Sequence, residues 1–128
     1  MVYLITGKAG AGKTHYSQAL AKEFTDEGIP VATLDGDAIR NNTGNHDFTD
    51  KGRINNLTFE AKLAQIHEDK GEVVILSFIA PKKKWRDMMR TYWEKSRVIY
   101  IPGGTLWKDT TYEKPTEDEL NLTHKINI

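Results

Sequence analysis

The chain has 128 residues and a mass of 14.6 kDa, which predicts one domain, residues 1–128, able to bury a core without staples. Cysteine is absent, which excludes disulfides, zinc–thiolate and iron–sulfur sites and a thiol nucleophile. Lys plus Arg is 18 and Asp plus Glu is 18, so the net charge is zero and a globally basic nucleic-acid binder is disfavoured. Mean hydropathy is −0.58 and no apolar run reaches membrane-spanning length, so no membrane partner is expected. Val2–Ile5 lacks the charged flank and cleavage site of a signal peptide, and the expected location is cytoplasmic.

In chain order, Val2-Tyr3-Leu4-Ile5 reads as a buried strand, followed by a glycine-rich turn, Gly7–Thr14. Tyr16, Ala19, Leu20 and Phe24 then recur at helical spacing, and Gly28 ends the run. Val31–Leu34 is a second strand, and Asp35–Phe48 is rich in turn residues. Thr49 or Asp50 caps a long helix carrying Ile54, Leu57, Ala61 and Ala64, which Gly71 closes. Val73–Ile79 has the continuous apolar character of a central parallel strand. Pro81 opens a third helix with Trp85, Met88, Met89 and Tyr92 on its apolar side. Val98–Ile101 is a fourth strand, and Thr116 with Glu119 signals one more helix start.

Strand and helix alternate, which predicts an α/β protein: a three-layer fold of the P-loop NTPase type, with a small parallel sheet flanked by helices. Ligands of such sheets bind beyond the carboxyl ends of the strands. Gly7–Thr14, Asp35–Arg40 and Ser77–Lys84 all follow strands and should meet in one crevice.

Gly7-Lys8-Ala9-Gly10-Ala11-Gly12-Lys13-Thr14 fits G-x-x-x-x-G-K-[ST]. Its glycines let successive N–H groups curl around a phosphate, and the following helix adds its positive end. Lys13 can reach the β- and γ-phosphates of ATP, and the Thr14 hydroxyl can ligate Mg²⁺. The second strand ends in Leu34-Asp35-Gly36-Asp37-Ala38-Ile39-Arg40. One carboxylate there can act at Mg²⁺ and the other can take a proton from an attacking hydroxyl, while Arg40 can grip an anionic acceptor. By itself Asp35-Gly36-Asp37 also suits an ordinary turn.

The order of these blocks resembles the adenylylsulfate (APS) kinases, a family of P-loop kinases that phosphorylate the 3′-hydroxyl of adenosine 5′-phosphosulfate. The resemblance rests on Gly7–Thr14, Leu34–Arg40, Phe48-Thr49, Arg53 and Asn56, then Ser77-Phe78-Ile79-Ala80-Pro81 with Arg86, and Asp109-Thr110-Thr111-Tyr112-Glu113-Lys114-Pro115. It implies the three-layer fold, ATP with Mg²⁺, APS as acceptor, and a role in sulfate assimilation. It implies Asp37 as base or orienting group beside Lys13, and Thr14 with Asp35 around Mg²⁺. It puts Gly7, Lys8, Ala9, Gly10, Ala11, Gly12, Lys13, Thr14 and His15 at the nucleotide. It assigns Arg40, Arg53 and Asn56 to the phosphosulfate arm, Phe48 to the acceptor's adenine, and the backbone around Phe78, Ile79 and Ala80 to the same pocket.

The chain departs from the family pattern at His15, Gly52, Ala80 and Lys82, and most of all between Ile101 and Asp109. The family places a lid with an R-D-x-K-G-L-Y motif there, and this chain has only Pro102–Lys108. Lys82, Lys83, Lys84, Arg86 and Arg90 read either as a solvated helix face or as cations compensating for the lid. Trp107 reads as packing or as a wall for a base, and Glu117-Asp118-Glu119 as a solvated helix start. Two alternatives stay open: a P-loop kinase acting on another acceptor, such as a nucleic-acid or sugar hydroxyl, and a nucleotide-binding module with little catalysis. A homodimer is also left open.

Overall fold

The structure is a computed structural model that describes residues 1–35, 49–106 and 111–127. The expectations for Asp37, Arg40, Phe48 and Trp107 fall outside the described residues. The described elements are β1 (Val2–Thr6), α1 (Lys13–Asp26), β2 (Val31–Asp35), α2 (Asp50–Asp69), β3 (Val73–Ser77), α3 (Lys83–Arg90), β4 (Ser96–Tyr100) and α4 (Glu117–Asn121). The strands pair in the order β2-β3-β1-β4, all parallel, as the alternation of strand and helix predicts. Strands three and four are displaced from their expected limits: β3 stops at Ser77, and β4 starts two residues before Val98.

Register explains which residues form the core. Val2 aligns with Val74, and Leu4 with Leu76 and Val98, so these side chains share one face. That face is closed by Leu57, Ala61 and Ala64 of α2, Trp85 and Met89 of α3, and Trp93. The Trp93 indole N–H donates to the Ala61 carbonyl at 3.0 Å, which lets the ring be fully buried. The opposite face carries Tyr3, Ile5, Ile75 and Ser77 and is covered by α1, with Phe24 against Tyr3 at 5.6 Å. The apolar spacing along α1 brings partial burial: Leu20 and Phe24 are half-buried, Ser17 is buried, and Tyr16 is 40% exposed.

Caps fall where the sequence places them. The Thr49 hydroxyl accepts from the Gly52 N–H and starts α2, and Thr116 accepts from Glu119 N–H at α4. Pro81 does not open α3. It is followed by Lys82 in extended backbone, and the helix begins at Lys83.

Two arginines correct the reading of the α3 basic cluster. Arg86 and Arg90 are both fully buried and belong neither to a solvated face nor to a crevice lining. Arg86 Nε donates to Glu119 Oε1 at 2.6 Å, Nη1 to the Ala80 carbonyl at 2.6 Å and Nη2 to the Glu113 carbonyl at 2.8 Å. Arg90 donates to the Ser96 hydroxyl at 2.8 Å and to the carbonyls of Ser96, Glu119 and Leu122. Burial lowers the Arg90 pKa from its ordinary value, and Glu119 and Asp87 oppose that shift. Glu119 is also corrected: 3% exposed, it is the buried counter-charge of Arg86 rather than part of a solvated helix start.

Together these contacts fasten residues 111–122 to α3 and to the turn after β3. Removing one partner of a buried pair strands the other's charge, at a cost of roughly 3–5 kcal/mol. Arg86→Met should therefore lower the free energy of unfolding by that order, read as a lower midpoint in urea unfolding. Pairing it with Glu119→Leu should recover part of the loss, because Ala80 and Glu113 would still lack their donor.

Candidate active site

The phosphate loop leaves the carboxyl end of β1 in a tight path. A Cβ on Gly7 would lie 2.6 Å from the Ile101 carbonyl oxygen, so only glycine lets the loop pass the end of β4. Gly12 precedes α1 at φ 99°, a left-handed conformation that turns the loop into the helix. No side chain caps α1 and no acidic residue occupies its first turn, so its N-terminus suits an anion. The Lys8 carbonyl accepts from Ala11 N–H at 3.2 Å and from Lys13 Nζ at 2.8 Å, which holds the Lys13 ammonium against the loop. His15 is exposed on the first turn of α1.

The segment after β4 lies against this loop. Thr105 N–H donates to the Ala9 carbonyl at 2.9 Å. A Cβ on Gly104 would stand 2.5 Å from that same oxygen and 3.1 Å from Ala11 N. Residues 102–105 therefore form a backbone strap on the phosphate loop, in the stretch where the sequence departs from the lid pattern.

Asp35 pairs with Ser77 across β2 and β3, and Ser77 with Ile5 across β3 and β1. These residues share the face on which α1 lies, and Thr14, Ser17, Asp35 and Ser77 line one groove. The structure thus brings together Thr14 and Asp35, the two expected metal-side residues. Arg53 and Asn56 sit three residues apart near the start of α2, with Asn56 buried and Arg53 half-buried. Among the described residues, no group of three or more His, Asp or Glu side chains forms a metal cage.

The turn after β3 is held on three consecutive carbonyls. Ile79 accepts from Thr6 Oγ1 at 2.5 Å, Ala80 from Arg86, and Pro81 from Glu113 N–H at 2.7 Å. Ala80 is a non-glycine residue at φ 44°, a conformation that costs on the order of 1 kcal/mol and persists only where surroundings impose it. Phe78 packs its ring against the core, and its N–H donates to the Ile5 carbonyl at 3.2 Å. Lys82 lies 4.8 Å from the centre of the Trp85 ring and 3.5 Å from Asp50, and Lys83 pairs with Asp87. Two of the three lysines thus have local partners. Sequence reasoning missed Thr6 and Tyr112 as members of this region, whose hydroxyls are 2.8 Å apart. The available signal was a polar residue ending a buried strand, directly before the loop.

The sequence profile of the adenylylsulphate kinase family matches residues 1–105. The adenylyl-sulfate kinase of Bacillus licheniformis is 34% identical over 145 residues, covering 92% of this chain and 73% of the relative. That of Bacillus velezensis is 36% identical over 88 residues, covering 67% of this chain and 44% of the relative. The Mycobacterium tuberculosis APS kinase in complex with AMPPNP and APS has the same fold, with a TM-score of 0.74 at 23% identity, over 79% of this chain and 61% of that one. The chain spans between 44% and 73% of the lengths of these proteins. The B. licheniformis match runs longer than the 128-residue chain, so that relative carries positions inside the match that are missing here. No helix among the described residues is long and apolar enough to cross a membrane. With the profile matched over more than half its length, the chain belongs to the adenylylsulphate kinase family.

Proposed function

We propose that this chain transfers the γ-phosphoryl group of ATP to the 3′-hydroxyl of adenosine 5′-phosphosulfate. The observation that carries the reading is the family match across residues 1–105, a stretch that contains the phosphate loop and the acceptor-side blocks. The relatives' name and the M. tuberculosis complex with AMPPNP and APS support ATP and APS as the pair of substrates.

In this reading Gly7–Thr14, continued by His15, holds the phosphates, and Lys13 turns from the Lys8 carbonyl to the γ-phosphate. Asp37 orients the acceptor hydroxyl and takes its proton. The acceptor oxygen bonds to the γ-phosphorus as the bond to the bridging oxygen breaks, and ADP leaves with that electron pair. Arg40, Arg53 and Asn56 hold the phosphosulfate arm, Phe48 stacks on the adenine, and the backbone of Phe78, Ile79 and Ala80 lines the pocket.

Thr14 and Asp35, one hydroxyl and one carboxylate in a shared groove, fit a Mg²⁺ ion and would hold it there. When bound, that ion neutralises charge on the β- and γ-phosphoryl oxygens. Most of the barrier reduction then comes from positioning and fixed charge.

ADP release should depend on APS and should not respond to an oligonucleotide. Asp37→Ala should abolish the APS-dependent release, and Lys13→Ala should lower kcat by roughly 10²–10³. Release that follows the oligonucleotide would replace APS with a nucleic-acid acceptor, and ATP binding without turnover on any acceptor would make the chain a binding module.

The strap yields a separate expectation. A methyl group at Gly104 meets the Ala9 carbonyl, so Gly104→Ala must displace either strap or loop. Its ATP dissociation constant, measured by calorimetry, should rise about tenfold.

A further inference from the structure

We infer that Tyr112 is a positioning residue for the acceptor side of the site, acting through Thr6 on the Ile79–Pro81 turn. The inference rests on the assignment of Phe78, Ile79 and Ala80 to the acceptor pocket.

The direction of the hydrogen bonds follows from counting protons. Thr6 has one hydroxyl proton and donates it to the Ile79 carbonyl at 2.5 Å. The 2.8 Å contact between the Thr6 and Tyr112 oxygens therefore has Tyr112 as donor. Tyr112 O–H donates to Thr6, and Thr6 O–H donates to Ile79. Each bond in such a chain polarises the next. Burial raises the Tyr112 pKa above the ordinary tyrosine value, against the opposing effects of the Thr6 bond and Arg86, so the phenol keeps its proton.

The ring is held as well as the hydroxyl. It stacks on Tyr100 at 6.0 Å with an interplanar angle of 24°, and the Arg86 guanidinium lies 5.8 Å from its centre. Its neighbour Glu113 donates its N–H to Pro81 and accepts from Arg86 through its carbonyl. One short stretch of chain, Tyr112-Glu113, thus reaches the carbonyls of Ile79 and Pro81 on either side of Ala80.

Of the two segments that meet at Thr6, the turn is the one able to yield. Thr6 is fixed in the sheet opposite Tyr100, and its carbonyl accepts from Ile101 N–H at 2.9 Å. The phosphate loop that follows has its own support from the strap at Ala9. Residues 79–82 lie outside strand and helix, and Ala80 is held at positive φ. Loss of the Tyr112 donor should therefore be felt at the turn and not at the loop.

The test is Tyr112→Phe, which keeps the stacked ring and removes the proton. KM for APS should rise about fivefold while KM for ATP stays within about twofold, the size expected for one hydrogen bond. In a Thr6→Val background, where the relay is already cut, Tyr112→Phe should add nothing further. Amide hydrogen exchange on the unliganded chain gives a readout that needs no turnover. Exchange should quicken at the amides of Ile79, Ala80 and Lys82, Pro81 having none, and hold steady at residues 7–14. An equal rise in both KM values, a fall in kcat alone, additive effects of the two substitutions, or equal quickening at loop and turn would each overturn the relay. If the wild-type chain does not turn over APS, the function proposed above fails, and the exchange pattern still decides the relay.

Discussion

The fully buried guanidinium of Arg86 is the constraint on which the arrangement of the site depends. A cation in that position is tolerable only when its donors are met, because the charge loses its water. Its donors are met by three separate parts of the chain: Glu119 in α4, the carbonyl of Glu113, and the carbonyl of Ala80. Satisfying Arg86 therefore dictates where the last described segment lies. It also fixes a turn whose central residue would not hold φ 44° unaided. Arg90, one turn further along α3, repeats the device at the start of β4, through Ser96 and Leu122. Two adjacent turns of one short helix thus bind the polar C-terminal stretch, which adds Leu120 to the edge of the apolar core.

Both sides of the candidate site are set by contacts at a distance from the strands that carry them. The phosphate loop grows from β1 but is steadied by the backbone after β4, where Gly7 passes Ile101 and Gly104 passes Ala9 with no room for a methyl group. The turn that follows β3 is likewise steadied from elsewhere, by α3 and by Tyr112-Glu113. Thr6 is the residue common to both, ending β1 immediately before the loop and donating to the turn. Loop and turn therefore meet at one residue of the sheet, each with a further support of its own, the strap for the loop and Arg86 for the turn.

Much of the fold is legible in the sequence because its signals are local. The apolar runs of β1 and β3 mark central strands, and both prove buried. Thr49 and Thr116 announce helix starts through their own hydroxyls. The phosphate loop carries its conformation in its glycines. What escaped the sequence is non-local. Reading Arg86 and Arg90 with Lys82–Lys84 as one basic cluster treats a guanidinium as a surface group. The carboxylate that permits its burial is 33 positions away. Glu119 was hidden for the same reason, sitting beside two exposed acids that do form a solvated helix start. On α1 the apolar spacing is real, yet the helix lies over β1, β3 and β2, and burial depends on a covering layer that periodicity does not report.

Burial of the two arginines also changes how a neutral chain can hold anionic ligands. Cations counted toward the crevice on sequence grounds are partly spent on the protein itself: Arg86 and Arg90 on its interior, Lys82 and Lys83 on Asp50 and Asp87. On the function proposed above, the side-chain charge met by a phosphate comes from residues such as Lys13 and Arg53. Backbone N–H groups of the loop and the open N-terminus of α1 supply the remainder. Such dipoles are useful only while their geometry holds, since a peptide N–H cannot swing to follow a ligand as a lysine can. A site of this kind depends on rigid support more than one lined with mobile cations does. The strap at Ala9, the Thr6 bond and the Arg86 network supply that support.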